Sequence, residues 1–159
     1  MERVNNILED IAYNELITDI KRWESKREFC KHNMRHFLDV ARIAYIMVLE
    51  REMNVKKDVI YAIGLLHDIG RGEQYENKTP HEEASAKLAP SILQRSGYTE
   101  NEIETIISCI KNHRNKENIE GSLEEIIYRA DKLSRPCYSC KAENKCDWDR
   151  LKKNMGISI

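Results

Sequence analysis

The sequence predicts an all-α protein that forms a single domain. Apolar residues recur at helical spacing along most of the chain, and the period-two alternation typical of strands is almost absent. The length of 159 residues fits one ordinary domain with one substantial core. Capping boxes, in which a Ser or Thr precedes a Glu by three positions, mark three predicted helix starts: Thr79 and Glu82, Thr99 and Glu102, and Ser122 and Glu125.

The first predicted helical region covers about residues 3–28, in one piece or two. Its predicted inner face comprises seven apolar residues: Ile7, Leu8, Ile11, Leu16, Ile17, Ile20 and Trp23. The next predicted helix runs through residues 33–52. An apolar stripe along this helix turns His36 towards the core, near the helix start.

A third predicted helix, "KKDVIYAIGLLHDIG", is apolar on several sides, as buried central helices are. It is predicted to end at Gly70, a residue suited to the left-handed turn after a helix. His67 and Asp68 then lie in its last turn. Residues 71–80 are polar and contain Gly and Pro, so the sequence predicts a loop there, of the kind that often rims a site.

The fourth predicted helix begins after the capping residue Thr79, with Pro80 at its first position. This arrangement places His81 in the first turn, where it is held rigidly. The helix is predicted to reach residue 96 and to stop at Gly97. Pro90 in its interior is expected to kink or break it, because proline removes one backbone donor.

The last two predicted helices each carry a candidate ligand near one end. One begins after Thr99 and ends at His113, and the other begins after Ser122 and carries Asp131 near its final turn. Groups near helix ends, flanked by loops, can converge on one cleft, whereas groups scattered on solvated faces cannot. The pattern predicts one shared site formed by six residues: His36, His67, Asp68, His81, His113 and Asp131.

The chemistry of these six groups favours a metal site. Imidazole nitrogens and carboxylate oxygens suit transition-metal ions, and six such groups can hold two ions that share a bridging carboxylate. Taken alone, the His67–Asp68 pair fits equally well a hydrogen-bonded histidine beside an aspartate that caps a helix. The other four positions favour metal binding.

His32, one turn before His36, is not part of the predicted ligand set, because a single extra histidine is more often structural or exposed.

Five segments resemble the HD-domain family of metal-dependent phosphohydrolases: "HFLDVARIA", "GLLHDIG", "HEEASAKLAPSIL", "CIKNHR" and "YRADKLSR". The resemblance covers about residues 30–135 and implies an HD-type helical bundle. In that family a first His, the His-Asp doublet and a distant Asp bind one metal, and the matching residues are His36, His67, Asp68 and Asp131. Branches with a second metal add two intervening histidines, matched by His81 and His113.

The resemblance also implies a reaction. Two divalent transition-metal ions, Fe, Mn, Co or Zn, would share Asp68 and hold between them a hydroxide that attacks phosphorus. The substrate would be a small phosphorylated molecule of the nucleotide type, cleaved at a phosphoester or phosphoanhydride bond. Arg71 is predicted to act in catalysis by pairing with substrate phosphate, although a solvated surface arginine fits this position equally well. Arg114 and Lys132 fit ordinary surface charges better.

Within the two-metal relatives, the small size and the two intervening histidines look most like the symmetrical diadenosine-tetraphosphatase branch. The Gly-Tyr-Pro element of the cyclic-dinucleotide branch is absent after "HDIG". A non-catalytic HD protein that senses metal or redox state is the alternative, and it would bind metal without turnover. A helical domain that only docks partners is a third interpretation, and it predicts no stoichiometric metal.

The end of the sequence departs from the HD pattern. Cys137, Cys140 and Cys146 are spaced Cys-x2-Cys-x5-Cys. Three thiolates could bind a zinc ion together with a fourth ligand. Cys30 is the candidate for this fourth ligand, because Cys109 lies on an apolar helix stripe. An iron–sulfur cluster, or free and partly buried thiols, fit the same cysteines.

Three parts are expected within one compact domain: an N-terminal helical region packing on the core (1–29), an HD core (30–135) and a Cys-containing C-terminal extension (136–159). The formal net charge of −1 provides no strong field that would attract nucleic acid or an anionic membrane. No window approaches the roughly 20 apolar residues of a membrane span, and no secretory signal opens the sequence. We therefore expect a cytoplasmic protein without nucleic-acid or membrane partners.

Overall fold

The computed structural model describes residues 1–117 and 119–157, and this part of the chain is all-α, as predicted. Its α-helices are α1 (Glu2–Glu9), α2 (Ile11–Trp23), α3 (Met34–Glu50), α4 (Lys57–Leu66), α5 (Arg71–Asn77), α6 (His81–Arg95), α7 (Glu100–Asn112) and α8 (Leu123–Leu133). Two 3-10 turns follow, at Cys137–Ser139 and Glu143–Lys145. None of the helices in the described ranges is long and apolar enough to cross a membrane.

The core of the bundle lies around α4, which the sequence predicts to be a buried central helix. Seven of its residues are buried: Val59, Ile60, Ala62, Ile63, Gly64, Leu65 and Leu66. It packs most extensively on α3, and it also contacts α1, α6 and α7. At the α3–α4 contact, a Cβ atom on Gly64 would lie 2.6 Å from the Cβ of Ala41, so only glycine allows this approach. The helices that carry the candidate ligands thus share one core.

The N-terminal region is two helices, and their inner face differs from the predicted one. Asp10 separates them in an extended conformation, and its side chain accepts a hydrogen bond from the backbone N–H of Tyr13. This break changes the rotational phase, so that Ile11 is 77% exposed and Trp23 is 47% exposed. The prediction that these two residues face the core is therefore wrong. The buried residues of α1 and α2 are Val4, Ile7, Tyr13 and Ile20.

The turn after α4 also differs from the prediction. The helix ends at Leu66, and residues 67–70 form a turn rather than a last helical turn. Gly70 has φ −78°, so it is not in the left-handed conformation that the sequence suggests. A Cβ atom there would lie 2.5 Å from the backbone nitrogen of Ser85 and 2.6 Å from the carbonyl oxygen of His81. The glycine is needed because α6 passes directly over this turn.

The predicted loop at residues 71–80 is wrong for most of its length, because residues 71–77 form helix α5. The helix is polar and has no buried residue, which explains why its sequence lacks an apolar stripe. It ends at Lys78, whose φ of 64° lies in the left-handed region. Contacts with α2 and α6 hold α5 in place, so tertiary packing rather than local pattern stabilises it.

Three predicted capping boxes have three different outcomes. The Thr99–Glu102 box forms in full. Ser122 caps α8, but the carboxylate of Glu125 instead pairs with Arg51 at 2.7 Å. The Thr79–Glu82 box is wrong, because α6 begins at His81 and its first turn has no side-chain cap. The same helix is continuous through Pro90, and it ends before Gly97, whose φ is +86°.

Candidate metal centre

The six predicted ligand residues are all buried and lie together in the structure. The most exposed of them, Asp131, has only 7% of its surface accessible. Their candidate ligand atoms form two groups, and within each group all of these atoms lie within 4.8 Å of one another. The first group is His36, His67, Asp68 and Asp131, and the second is Asp68, His81 and His113. Asp68 belongs to both.

Helix ends place these side chains, as the sequence predicts. His36 lies in the first turn of α3, where its backbone N–H donates to the capping side chain of Asn33. His67 and Asp68 follow the end of α4, and His113 follows the end of α7. The remaining two positions are the first residue of α6 and the last turn of α8, occupied by His81 and Asp131.

The carboxylate of Asp68 stands between the two groups. Its Oδ2 atom lies 3.2 Å from Nε2 of His67 and 3.5 Å from Nε2 of His36. Its Oδ1 atom lies 3.0 Å from Nε2 of His81 and 3.7 Å from Nε2 of His113. One oxygen therefore faces each group, which is the arrangement that a bridging carboxylate requires.

Hydrogen bonds at the opposite ring nitrogens determine which histidine nitrogens are free. Nδ1 of His67 lies 2.8 Å from the carbonyl oxygen of Gly64, and Nδ1 of His113 lies 2.7 Å from that of Ile110. A carbonyl oxygen only accepts, so each Nδ1 must carry the proton. In the neutral imidazole, Nε2 then presents a lone pair to the site, and the outer hydrogen bond fixes the ring orientation.

The other two candidate histidines have the same tautomer. The hydroxyl of Ser134 donates to the carbonyl oxygen of Asp131 at 2.7 Å, so it is free to accept from Nδ1 of His36 at 3.0 Å. Nδ1 of His81 lies 3.1 Å from Oε1 of Gln74, which also accepts from Arg71. All four imidazoles therefore present Nε2 lone pairs to the centre.

The distances between the facing nitrogen atoms indicate whether the residues suit a metal. Nε2 of His36 and Nε2 of His67 are 3.3 Å apart, and those of His81 and His113 are 3.1 Å apart. Two lone pairs at such distances repel each other unless a cation lies between them. Oδ2 of Asp68 is buried and has no hydrogen-bond partner among the described residues. The unpaired oxygen and the facing nitrogens fit a site for cations.

The protonation states agree with this chemistry. Burial would raise the pKa of Asp68, but the Arg71 guanidinium holds it well below its ordinary value. The pKa of Asp131 is likewise lowered, against the effect of burial, by Lys132 and Arg135. Burial lowers the pKa of His36 to about 3. Burial also lowers the pKa of His81 and of His113. At neutral pH the two carboxylates are thus anionic and these three imidazoles are neutral, which are the forms that bind metals.

Basic side chains surround the two groups. Arg71, the predicted catalytic arginine, is 20% exposed and donates to Oδ1 of Asp68 at 2.9 Å. Lys132 pairs with Asp131, so the interpretation of Lys132 as an ordinary surface charge is wrong. Arg114 fits that interpretation, since its side chain is 54% exposed and lies 3.5 Å from Glu82. The cations border a cleft of about 200 Å³ that also reaches His113 and Asp131.

Sequence reasoning missed three buried residues at this centre. His32 is 4% exposed, and its Nε2 lies 3.7 Å from Oδ2 of Asp68. Glu24 holds it by accepting from its backbone N–H and its Nδ1. Arg135 donates to Nε2 of His36 at 2.9 Å. The position of His32 one helical turn before His36 could have predicted that His32 lies at the centre. No local sequence pattern distinguishes Glu24.

The neutral histidines predict a pH dependence for the metal-free protein. Burial lowers the pKa of His36 and of His113 from 6.5 to about 3, and unfolding returns both to ordinary values. Below pH 6.5 the unfolded chain therefore binds more protons than the folded one. The free energy of unfolding should fall as the pH drops from 6.5 to 5, by up to about 1.4 kcal/mol per pH unit for each histidine.

Urea denaturation of chelator-treated protein at several pH values measures this slope. The His113→Gln variant removes one of the two groups and should show a shallower pH dependence than the parent protein. Equal slopes in the two proteins would contradict the assignment of a neutral, buried His113.

The all-α fold and the paired histidine–aspartate groups indicate a class of protein, the metal-dependent phosphohydrolases. Residues 33–135 match the HD domain family, and the chain belongs to that family. HD domains bind divalent metal ions, and the family consists mainly of hydrolases. The resemblance found in the sequence is therefore confirmed at the level of the family.

Several proteins are similar in sequence. A protein of Clostridium beijerinckii described as uncharacterized is 46% identical over 157 residues, which cover 99% of each chain. Ribonuclease Y of Mycoplasma mycoides is 28% identical over 120 residues, and that of Enterococcus faecalis is 25% identical over 141 residues. These alignments cover 76% and 89% of this chain but only 22% and 25% of the two ribonucleases. No solved structure matches the chain.

Proposed function

We propose that this protein is a two-metal phosphohydrolase that cleaves a phosphoester or phosphoanhydride bond of a small, nucleotide-type substrate. The position of Asp68 is the main support for this proposal, because each of its carboxylate oxygens faces a different ligand group. One ion would be held by His36, His67, Asp68 and Asp131, and the other by Asp68, His81 and His113. Two bound divalent ions lower the pKa of water and stabilise the attacking and leaving oxygens.

The protein's own groups prepare the centre for this role. Carbonyl and side-chain oxygens hold each ligating imidazole in the tautomer that exposes Nε2, so the rings are already oriented for binding. Arg135, which donates to Nε2 of His36, must move aside when a metal ion binds there. Arg71 lies between Asp68 and the cleft, where its guanidinium can pair with a substrate phosphate. We assign it the role of binding the transferred phosphoryl group and stabilising the charge that develops there.

The charge and size of the cleft support a small phosphorylated substrate. Five basic residues line it: Arg27, Arg71, Arg114, Lys132 and Arg135. The chain as a whole has a net charge of −1, so its overall charge does not attract a polyanion such as nucleic acid. Trp148 also lines the cleft and offers an aromatic face to a nucleobase. The specific likeness to the symmetrical diadenosine-tetraphosphatase branch stays a prediction from the sequence.

A second candidate is cleavage of an RNA phosphodiester bond, favoured by the similarity to proteins named ribonuclease Y. The chain spans about a quarter or less of the length of those relatives. The net charge of −1 favours the small substrate, because proteins that bind a nucleic-acid backbone use an excess of cations.

The proposal places the chemistry in the predicted HD core, residues 30–135, with residues 1–29 packed on it and the Cys-containing extension beside the cleft. The last two residues of the predicted extension, Ser158 and Ile159, lie outside the described residues. The cytoplasmic location stays a prediction.

A metal and substrate screen tests the function. Protein purified without oxygen is analysed for metal, supplied with Fe²⁺, Mn²⁺, Co²⁺ or Zn²⁺, and incubated with nucleotides, dinucleoside polyphosphates, a generic phosphoester and short RNA. Metal-dependent release of phosphate or nucleotide from a small substrate supports the proposal, and cleavage of RNA alone favours the second candidate. Stoichiometric metal without turnover would indicate a sensor, and absence of bound metal would contradict a metal-dependent function.

Replacing Arg71 by glutamine should lower kcat/KM on the substrate found in this screen by about a hundredfold, because a charged donor to the developing phosphoryl charge is lost. The matched control is Arg35→Gln on α3, whose side chain is 86% exposed. Metal content is measured in both variants, since Arg71 also contacts Asp68. Equal kcat/KM values in the two variants would show that Arg71 does not act on the substrate.

A further inference from the structure

Four of the five cysteines come together at a second place in the molecule. Cys30, Cys137, Cys140 and Cys146 line one small cavity of about 20 Å³. Cys30 precedes α3, whereas the other three follow α8, so the fold joins positions more than 100 residues apart. The fifth cysteine, Cys109, lies inside the apolar core of the bundle and is fully buried. All five thiols are free.

Two similar backbone turns present these thiols. Cys137 begins the first 3-10 turn, and Cys140 follows it with its N–H bonded to the carbonyl oxygen of Cys137 at 3.1 Å. Cys146 follows the second 3-10 turn in the same way, with its N–H bonded to the carbonyl oxygen of Glu143 at 3.1 Å. Short turns that end in cysteine supply ligands to zinc in many small structural sites.

The segment that carries these turns has little apolar burial of its own. Between residues 136 and 157, the buried apolar side chains are Cys137 and Ala142, whereas Leu151 is 99% exposed and Ile157 is 85% exposed. Segments of this kind are commonly held by a disulfide or a metal ion, because the hydrophobic contribution is too small. Because the thiols are free, a metal ion rather than a disulfide is the cross-link that these cysteines can form.

Electrostatics shows that the thiols influence one another. Burial raises the pKa of the Cys30 thiol, Arg135 opposes this effect, and the thiols of Cys137, Cys140 and Cys146 raise the pKa further. Lys153 adds a second positive charge at the same cavity, where it pairs with Glu143. Four thiols in one cavity repel each other once they ionise, and a divalent cation removes that repulsion.

We propose that Cys30, Cys137, Cys140 and Cys146 bind one zinc ion in a structural site that is separate from the histidine–aspartate centre. Zinc binds four thiolates tetrahedrally at about 2.3 Å, which separates the sulfur atoms by about 3.8 Å. No three of the four sulfur atoms lie within 4.8 Å of one another, whereas the ligand atoms within each histidine–aspartate group do. Rotation of the cysteine side chains therefore accompanies binding.

The zinc site lies next to the cleft of the histidine–aspartate centre. Cys30 and Cys146 line the cationic cleft as well as the cysteine cavity, and so does Trp148. Arg135 connects the two places, because it donates to Nε2 of His36 and to the carbonyl oxygen of Lys31. The zinc ion ties the C-terminal segment to the residues before α3 and thereby holds one wall of the cleft.

Cobalt substitution tests the site without reference to activity. Reduced, metal-free protein is titrated with Co²⁺, and the absorption from thiolate-to-cobalt charge transfer, which histidine and aspartate ligands do not produce, is recorded. The absorption should reach a plateau that corresponds to one thiolate-bound Co²⁺ per chain, and added Zn²⁺ should abolish it. The Cys140→Ser variant should bind the ion at least about tenfold more weakly. Cys109→Ser is the matched control, and it should keep the absorption even if the core substitution lowers stability.

Asp68→Asn separates this site from the other centre, because it should keep the thiolate absorption in full. Three outcomes would overturn the proposal: no thiolate absorption in the reduced parent protein, disulfides among the four cysteines of protein purified without oxygen, or an iron–sulfur chromophore with acid-labile sulfide. Native protein with bound zinc should also protect four thiols from a thiol reagent until a chelator is added.

Discussion

Replacing Asp68 by asparagine is expected to remove both metal ions and to lower the rate of phosphate release by about a thousandfold or more. The substitution keeps the side-chain volume but removes the negative charge from the group that both ligand sets share. Loss of metal-ion stabilisation amounts to several kcal/mol in the transition state, and each 1.4 kcal/mol is about tenfold in rate. Elemental analysis and a phosphate-release assay measure the two effects.

The control is Asp19→Asn on α2, where the side chain is 51% exposed and belongs to neither ligand group. It should retain metal and activity. His81→Gln is informative beside Asp68→Asn, because His81 contributes only to the second group and its loss should weaken one ion more than the other. Full metal content together with full activity in Asp68→Asn would refute the two-metal proposal.

Replacing Gly70 by alanine is expected to destabilise the protein by about 3 kcal/mol and to weaken metal binding at His81. The new Cβ atom would lie 2.5 Å from the backbone nitrogen of Ser85 and 2.6 Å from the carbonyl oxygen of His81. Those atoms belong to the backbone of α6 and cannot rotate away, so the helix must move. The hydrogen bond from the N–H of Gly70 to the hydroxyl of Ser85, at 2.8 Å, would be strained by the same movement.

Urea denaturation measures this destabilisation, and Gly72→Ala provides the control two residues further along the chain. A Cβ atom on Gly72 would meet nothing closer than Asp19 Cβ at 3.8 Å, within helix α5. Alanine should be neutral there, or stabilising by about 0.5–1 kcal/mol, since glycine is unfavourable in a helix. If Gly70→Ala and Gly72→Ala had equal urea midpoints, the close approach of α6 to this turn would be wrong.

Much of the fold follows from local pattern. The apolar periodicity of α3 and α4 predicts both helices and the burial of His36, because a helix repeats its inward face every three to four residues. The Thr99 cap predicts the start of α7 to the residue. The failures occur where tertiary contacts outweigh pattern: α5 is polar, and α6 begins without the predicted cap.

The sequence predicted the candidate ligand residues but not the residues that form hydrogen bonds with them. The order of the histidines and aspartates resembles the HD arrangement and thereby predicts six side chains that the structure brings together. The residues that orient them come from other parts of the chain, such as Gln74 of α5, which accepts from His81, and Ser134, which accepts from His36. No spacing rule connects those partners, so only the folded chain shows them.

The sequence alone determines the helical class, the start of α7 and the identity of the six candidate ligands, because these depend on apolar periodicity, on a capping residue and on the order of histidines and aspartates. The division of the Asp68 oxygens between two groups, the inward lone pairs of the histidines and the meeting of Cys30 with three distant cysteines depend on packing across the bundle. Such contacts join residues tens of positions apart. Their geometry is set by how close the helices approach, which at Gly64 and Gly70 is a matter of a single missing Cβ atom.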